Sequence, residues 1–232
     1  MTAQILFITG TDTDVGKTIA TAATAATLAT RPSRHGQPGS PIAIYKPVQT
    51  GVTTDEPGDI DVIRRLSGIA SATEGIRLQR PMAPAAAAQQ EGVSLPTLAE
   101  HAARIEDLTR SYNHVLVEGS GGLLVHLDDT HTIADLASHF GHRAAVIVVC
   151  RSGLGTLNHT ELTKQALEQR LLHIAGLIIG SWPNQPDDIA LDNHRYLSAL
   201  DVPLLGAIPA RASQLEPQNF RANAPSWFTY PL

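Results

Sequence analysis

Lys17 and Thr18 close the stretch Gly10-Thr11-Asp12-Thr13-Asp14-Val15-Gly16-Lys17-Thr18, whose residue types suit a triphosphate. It follows an apolar run, Ile5-Leu6-Phe7-Ile8, and precedes an alanine- and threonine-rich segment, Ile19 to Ala29, that reads as a helix. Strand, glycine-bounded loop, Gly-Lys-Thr and helix is the layout of a phosphate-binding P-loop. Such a loop offers a dense anion backbone N–H groups, a helix N-terminus and an ammonium, while the threonine hydroxyl is placed for Mg²⁺. Gly10 lies one residue too far from Gly16 for the standard spacing, so Thr11 fills the usual first-glycine position.

Four further segments carry candidate chemistry. Tyr45-Lys46-Pro47-Val48-Gln49-Thr50-Gly51 puts a lysine at a strand end, where it serves either as a solvated surface charge or to neutralise a migrating phosphoryl group. Glu118-Gly119-Ser120-Gly121-Gly122 sets an acidic residue before glycines, either a Walker-B-like Mg²⁺ carboxylate or an exposed residue of a connector. Asp59-Ile60-Asp61 follows a Pro-Gly turn; its carboxylates either favour a helix N-terminus or reach the metal. Gly153-Leu154-Gly155-Thr156-Leu157-Asn158-His159 opens a helix after an apolar strand, a place suited to a substrate carboxylate. The ten histidines include no H-x-x-x-H pair and no nearby ligand set for zinc.

The elements that must position these residues alternate. Apolar runs predict strands over Gln4–Thr9, Ile42–Lys46, Val115–Glu118, Ala145–Cys150, Ile174–Ile179 and Val202–Ile208. Helical composition falls on Lys17–Thr30, Ile60–Ser67, Leu95–Tyr112, Thr132–Phe140, Leu157–Arg170 and Ile189–Leu200. This order predicts an α/β fold: one doubly wound, mostly parallel sheet with helices on both faces, whose ligands sit at the carboxyl ends of the strands. Arg31–Pro41 reads as an exposed loop, and Arg80–Gly92 as a loop entering a short helix. After Arg211 periodicity is lost, and Pro217, Pro225 and Pro231 predict a surface wrap or a disordered tail.

With 232 residues, 43% hydrophobic and 17% charged, the chain is sized for one well-buried domain spanning residues 1–232. A net charge of −5 without a basic tract argues against a nucleic-acid partner. No apolar run approaches membrane-spanning length and no signal peptide is evident at the N-terminus, so a cytoplasmic protein without a membrane partner is expected. Cys150, the single cysteine, ends an apolar run and is expected to be a buried strand thiol rather than a nucleophile.

Taken in order, the motifs Thr9 to Thr18, Tyr45 to Gly51, Val117 to Gly122, Gly153 to His159 and Leu205-Gly206-Ala207-Ile208-Pro209 resemble those of the dethiobiotin synthetases, ATP-dependent cyclising ligases of biotin synthesis. The resemblance covers roughly Ile5 to Pro209, and the longer P-loop is that family's own form. It implies a P-loop NTPase fold in which one amine of 7,8-diaminononanoate takes up CO₂ as a carbamate. The carbamate attacks the γ-phosphate, giving a carbamic–phosphoric anhydride and the nucleoside diphosphate, and the second amine closes the ureido ring and expels phosphate. Catalytic roles then fall to Lys17 and Lys46. Nucleotide contacts fall to Asp14, Val15, Gly16, Lys17, Thr18, Ile19, Asp61, Glu118, Gly119, Ser120 and Gly121, with Ser181, Ile208, Pro209 and Ala210 at later strand ends. Mg²⁺ falls to Thr18, Asp61 and Glu118, with Asp59 as the alternative to Asp61. Substrate contacts fall to Thr11, Thr50, Gly153, Leu154, Gly155 and Asn158, the last four acting across a homodimer interface.

One departure stands out against that resemblance. Many relatives carry an adenine-reading asparagine just after the fifth expected strand, whereas here the strand leads into Gly180-Ser181-Trp182-Pro183. Weak discrimination among nucleotide bases is the expectation. Two rival readings are an amide-forming P-loop ligase of the cobyrinic acid diamide synthase kind and a partition- or septum-positioning ATPase switch. The first usually carries an added glutamine-hydrolysing domain for which this length leaves no room. The second commonly has a further lysine early in the loop, where this chain has Thr11, Asp12 and Thr13.

Overall fold

A computed structural model describes residues 4–32 and 39–230. Residues 33–38 of the expected Arg31–Pro41 loop lie outside the described residues. Seven strands form one sheet: β1 (Gln4–Gly10), β2 (Ile42–Gln49), β3 (Ala72–Arg77), β4 (His114–Gly122), β5 (Ala144–Cys150), β6 (Ile174–Trp182) and β7 (Leu204–Pro209). Their order is β3-β2-β4-β1-β5-β6-β7 and every pairing is parallel. Parallel strands need crossovers that place helices on the sheet faces, which is why β1, β2 and β5 are buried almost throughout and β5 reads as an unbroken apolar run.

On one face lie α1 (Lys17–Ala29), α2 (Asp59–Ser67) and α8 (Pro217–Asn223), packed around Leu6, Ile8, Ile44 and Ile147. The alanines of α1, five of them buried, let that helix lie close to the strands that carry the loop before it. The other face takes α3 (Pro84–Glu91), α4 (Leu98–Thr109), α5 (Ile133–Phe140), α6 (Thr156–Glu168) and α7 (Asp188–Ser198), around Phe7, Val117, Ile179 and Phe140. Among the described residues no helix is long and apolar enough to cross a membrane.

One strand was not expected from the sequence, and the tail takes one of its two expected forms. The edge strand β3, Ala-Thr-Glu-Gly-Ile-Arg, has no apolar run because only Ala72 is fully buried. The segment after Arg211 is an ordered wrap: Phe220 is fully buried and meets Trp227 edge-on at 5.1 Å, and the backbone at Phe228 bridges to Gly206. Cys150 is a buried thiol whose pKa burial pushes up to about 12, far from nucleophilic character.

A buried polar pair links α4 to β2. The Tyr45 hydroxyl and His101 Nδ1 are hydrogen-bonded at 2.7 Å, and both side chains are buried. Burial lowers the His101 pKa, against the opposing charges of Asp128 and Glu100. The unfolded chain therefore binds a proton at this residue where the folded chain does not, so stability falls as pH drops below about 6.5. Urea midpoints measured from pH 7 to pH 5 are expected to decline less steeply in His101→Leu than in the parent, even though the variant starts from lower stability. Parallel declines would remove His101 as the source.

Candidate active site

β1 runs between β4 and β5, so the loop after Gly10 lies where the carboxyl ends of three strands meet. Gly16 is the N-cap of α1 with φ 95°, and a Cβ there would stand 2.6 Å from the Gly180 carbonyl. Only glycine fits both the left-handed conformation and this approach. It offers no capping side chain, so the first N–H groups of α1 remain for an anion. Asp14 also has positive φ, 56°, and stands exposed at the loop's outer turn. Arg151, just beyond β5, holds the loop from the side by donating to the Asp12 carboxylate at 3.0 Å and the Thr13 carbonyl at 2.9 Å.

The two lysines differ in their surroundings. Lys17 is buried and donates to the Asp12 carbonyl at 2.9 Å. Burial lowers its pKa, aided by the neighbouring Lys46 and opposed by Glu118 and Asp59. Lys46 is 3% exposed, with its Nζ 3.0 Å from Glu118 Oε1 and 2.5 Å from Asp59 Oδ2. Burial works against its ammonium, but Glu118 and Asp59 outweigh that and raise its pKa. Thr18 Oγ1 lies 2.9 Å from Asp59 Oδ1 and 3.1 Å from Glu118 Oε1, joining the loop to the same group.

Lys17, Thr18, Lys46 and Asp59 border a cavity of about 500 Å³ that also meets Gly16, Ile19, Gln49, Thr50, Ser120 and Gly121, with Glu118 buried behind them. A second cavity, about 550 Å³, shares Thr13, Asp14, Thr50, Ser120 and Gly121 with it and extends along Pro81, Met82, Pro84 and Val125. The pair thus offers a charged end beside the loop and a more apolar continuation. Val15 is buried within the loop and Gly119 lies against Ile133, and neither lines the two cavities.

Three of the expected contacts stand differently in this geometry. Asp61 does not join Thr18 and Glu118: its carboxylate accepts from Gly58 N–H at 2.9 Å and from Arg64 and Arg77 at 3.0 and 3.3 Å. It closes the capping box of α2, and Asp59 occupies the place expected of it. Thr11 lies away from the loop cavity, in a depression with Gly122 to Val125 and Leu162, whereas Thr13 borders both cavities at the loop. Ile208 is fully buried, so of the Ile208-Pro209-Ala210 stretch only Pro209 and Ala210 reach the surface. Gly153, Leu154, Gly155 and Asn158 do not border the loop cavity of their own chain. The sequence pointed to none of Thr13, Gln49 and the bracing Arg151.

Thr18, Asp59 and Glu118 present only oxygen donors, and Glu118 Oε2 is buried without a partner. Hard oxygens around an unsatisfied carboxylate fit Mg²⁺. Among the described residues no group of three or more His, Cys, Asp and Glu side chains could hold a metal ion, so phosphate oxygens and water would complete the shell.

At the ends of β6 and β7, Ser181 is exposed and the Trp182 carbonyl accepts from Ala210 N–H at 2.6 Å. The Trp182 ring turns to α7 and meets His194 edge-on at 5.1 Å. No side-chain amide stands at these two positions.

A protein-family model described as an AAA domain matches residues 4–218. The ATP-dependent dethiobiotin synthetase of Streptomyces avermitilis is 46% identical over 97% of this chain and 91% of its own length. That of Rhodococcus jostii is 42% identical over 97% and 94%. The chain belongs to the dethiobiotin synthetase family. Solved structures share the architecture at much lower identity. The septum site-determining protein MinD of Pyrococcus horikoshii, solved with Mg-ADP, superposes with a TM-score of 0.57 at 18% identity, covering 97% of this chain and 93% of its own. A ParA family ATPase of Chlorobium tepidum gives 0.56 at 12%, covering 96% and 92%. Those likenesses concern the fold, and the dethiobiotin synthetase family is the one in which the sequence itself aligns nearly end to end.

Proposed function

We propose that the protein, acting as one domain, closes the ureido ring of dethiobiotin from 7,8-diaminononanoate, CO₂ and a nucleoside triphosphate. The observation that carries this is the buried Lys46 ammonium, held by Asp59 and Glu118, in the wall of a loop cavity that shares Thr13, Asp14, Thr50, Ser120 and Gly121 with a more apolar one. Transfer of a phosphoryl group to a carbamate needs charge neutralisation and alignment more than covalent help. Lys17 binds the outer phosphate oxygens, the N–H groups of Gly16 to Thr18 bind the inner ones, and Lys46 neutralises the carbamate and the charge growing on the transferred group. Thr18, Asp59 and Glu118 would hold Mg²⁺, which supplies charge neutralisation on the β- and γ-phosphates when bound. Thr50 and Thr13 take the reacting end of the diamine.

The Gly153–Asn158 loop is proposed to hold the substrate carboxylate of a neighbouring subunit in a homodimer. Leu154 is 80% exposed, and the loop lies apart from its own chain's cavity, both of which support that reading. Mass spectrometry of reactions with diamine, bicarbonate, Mg²⁺ and each of four nucleoside triphosphates tests the proposal. Dethiobiotin is expected only when every component is present; its absence with all four would remove the reading.

The same reactions examine base preference. Ser181 and the turned-away Trp182 leave no bidentate amide for adenine, so rates with the four nucleotides are expected to lie within about tenfold of one another, since a lost hydrogen-bonding pair is worth on the order of 1 kcal/mol or more. An ATP rate more than a hundredfold above the rest would contradict it.

A further inference from the structure

Gln49 ends β2 with its side chain 4% exposed, inside the wall of the loop cavity. Its two amide atoms serve two elements. Oε1 accepts from Asp59 N–H at 2.9 Å, and Nε2 donates to the Thr50 carbonyl at 3.0 Å. Asp59 is the first residue of α2, so its N–H is one of those a helix start leaves without an intrahelical partner. Gln49 satisfies it from a neighbouring strand, and by fixing the Asp59 backbone it sets where the carboxylate meets Lys46 and Thr18. Arg77 braces the arrangement from outside. It donates to Glu74 and Asp61, and to the carbonyls of Thr53 and Glu56 at 3.1 and 2.7 Å. The packing leaves no slack: a Cβ on Gly58 would stand 2.7 Å from Arg77 Nη2 and 3.1 Å from Gln49 Oε1.

We propose that Gln49 is a positioning residue that sets Asp59, on the metal side, and Thr50, on the diamine side, with one carboxamide. The inference rests on the functional reading above. A lysine-bearing strand end alone would not explain why the next polar side chain is buried and divided between these two partners. Outer-shell groups that orient metal-side carboxylates typically change metal affinity or activity by about 10- to 100-fold when removed.

The test compares the parent with Q49M, close in volume and without amide atoms, and Q49E, which keeps an acceptor for the Asp59 N–H but loses the donor to Thr50. Calorimetric titration with ATP is run in Mg²⁺ and again in EDTA, and steady-state kinetics give the diamine KM and kcat. In Q49M the affinity gained from Mg²⁺ is expected to shrink about tenfold or more, the EDTA affinity to stay within about twofold, and the diamine KM to rise. Q49E is expected to recover the Mg²⁺ gain but not the diamine KM. An unchanged Mg²⁺ gain in Q49M, or a loss of equal size in EDTA, would overturn the proposal. If Q49M does not fold, Q49E decides it through the split between the two readouts. If the parent makes no dethiobiotin, the functional reading fails, while the two titrations still judge the link from Gln49 to Asp59.

Discussion

Replacing Lys46 with alanine is expected to lower dethiobiotin formation by about 10²–10³-fold, the usual consequence of removing one preorganised charge from a transition-state site. The same change strips the fully buried Glu118 carboxylate of its cation. Breaking a buried ion pair from one side costs about 3–5 kcal/mol because the partner's desolvation remains. A lower melting temperature is thus expected without nucleotide, with partial recovery in Mg²⁺ and nucleotide, since ligands that bind only the folded state stabilise it. Lys46→Arg keeps the charge, but a planar fork does not fit between Asp59 and Glu118 where a compact ammonium does, so it should restore melting better than turnover. Steady-state product assays and melting curves on both variants check this. Near-parental turnover in Lys46→Ala would remove the ammonium from the reaction.

The central strands were legible because parallel strands covered on both faces are mainly apolar: β5 is so at every position, and β1 from Ile5 to Ile8. The edge strand β3 was not, since Thr73, Glu74 and Arg77 are only partly buried and break any apolar run. β2 continues three residues past its expected end at Lys46. Pro47 is tolerated there because pairing with the inner neighbour β4 stops at Tyr45. For α4, the capping box Thr97-x-x-Glu100 marks the start that apolar periodicity alone set three residues early.

The site divides along a similar line. Its local parts, the loop with Lys17 and Thr18, could be read from consecutive residues. What could not be read is which distant side chain faces it. Asp59 and Asp61 are two residues apart at a helix start and so point in different directions, and the choice depends on where the helix begins. With Gly58 as N-cap, Asp61 falls at the third helical position, which is the capping-box position, and Asp59 is left to face Lys46. An acidic residue three places after a Pro-Gly turn was the available signal for that cap.

That division of labour leads to the second large effect. Glu118→Gln and Asp59→Asn are each expected to lower turnover by roughly 10²-fold or more and to raise the Mg²⁺ concentration needed for half-maximal rate, by removing a charge from a metal-side oxygen set. Nucleotide affinity in EDTA should change little, because Lys17 and the N–H groups of α1 remain. Glu118→Gln also places an amide N–H₂ at one of the two positions, one of which, Oε2, has no partner in the fold, so its effect is expected to be the larger. Asp61→Asn is the counterpart with opposite consequences. It weakens the α2 cap and its contacts with Arg64 and Arg77, costing on the order of 1 kcal/mol in stability, while the Mg²⁺ dependence stays parental. Magnesium titrations of the three variants, read beside their urea midpoints, separate the two aspartates. A shifted Mg²⁺ requirement in Asp61→Asn, with a parental one in Asp59→Asn, would reverse the assignment and mean that α2 begins differently when nucleotide is bound.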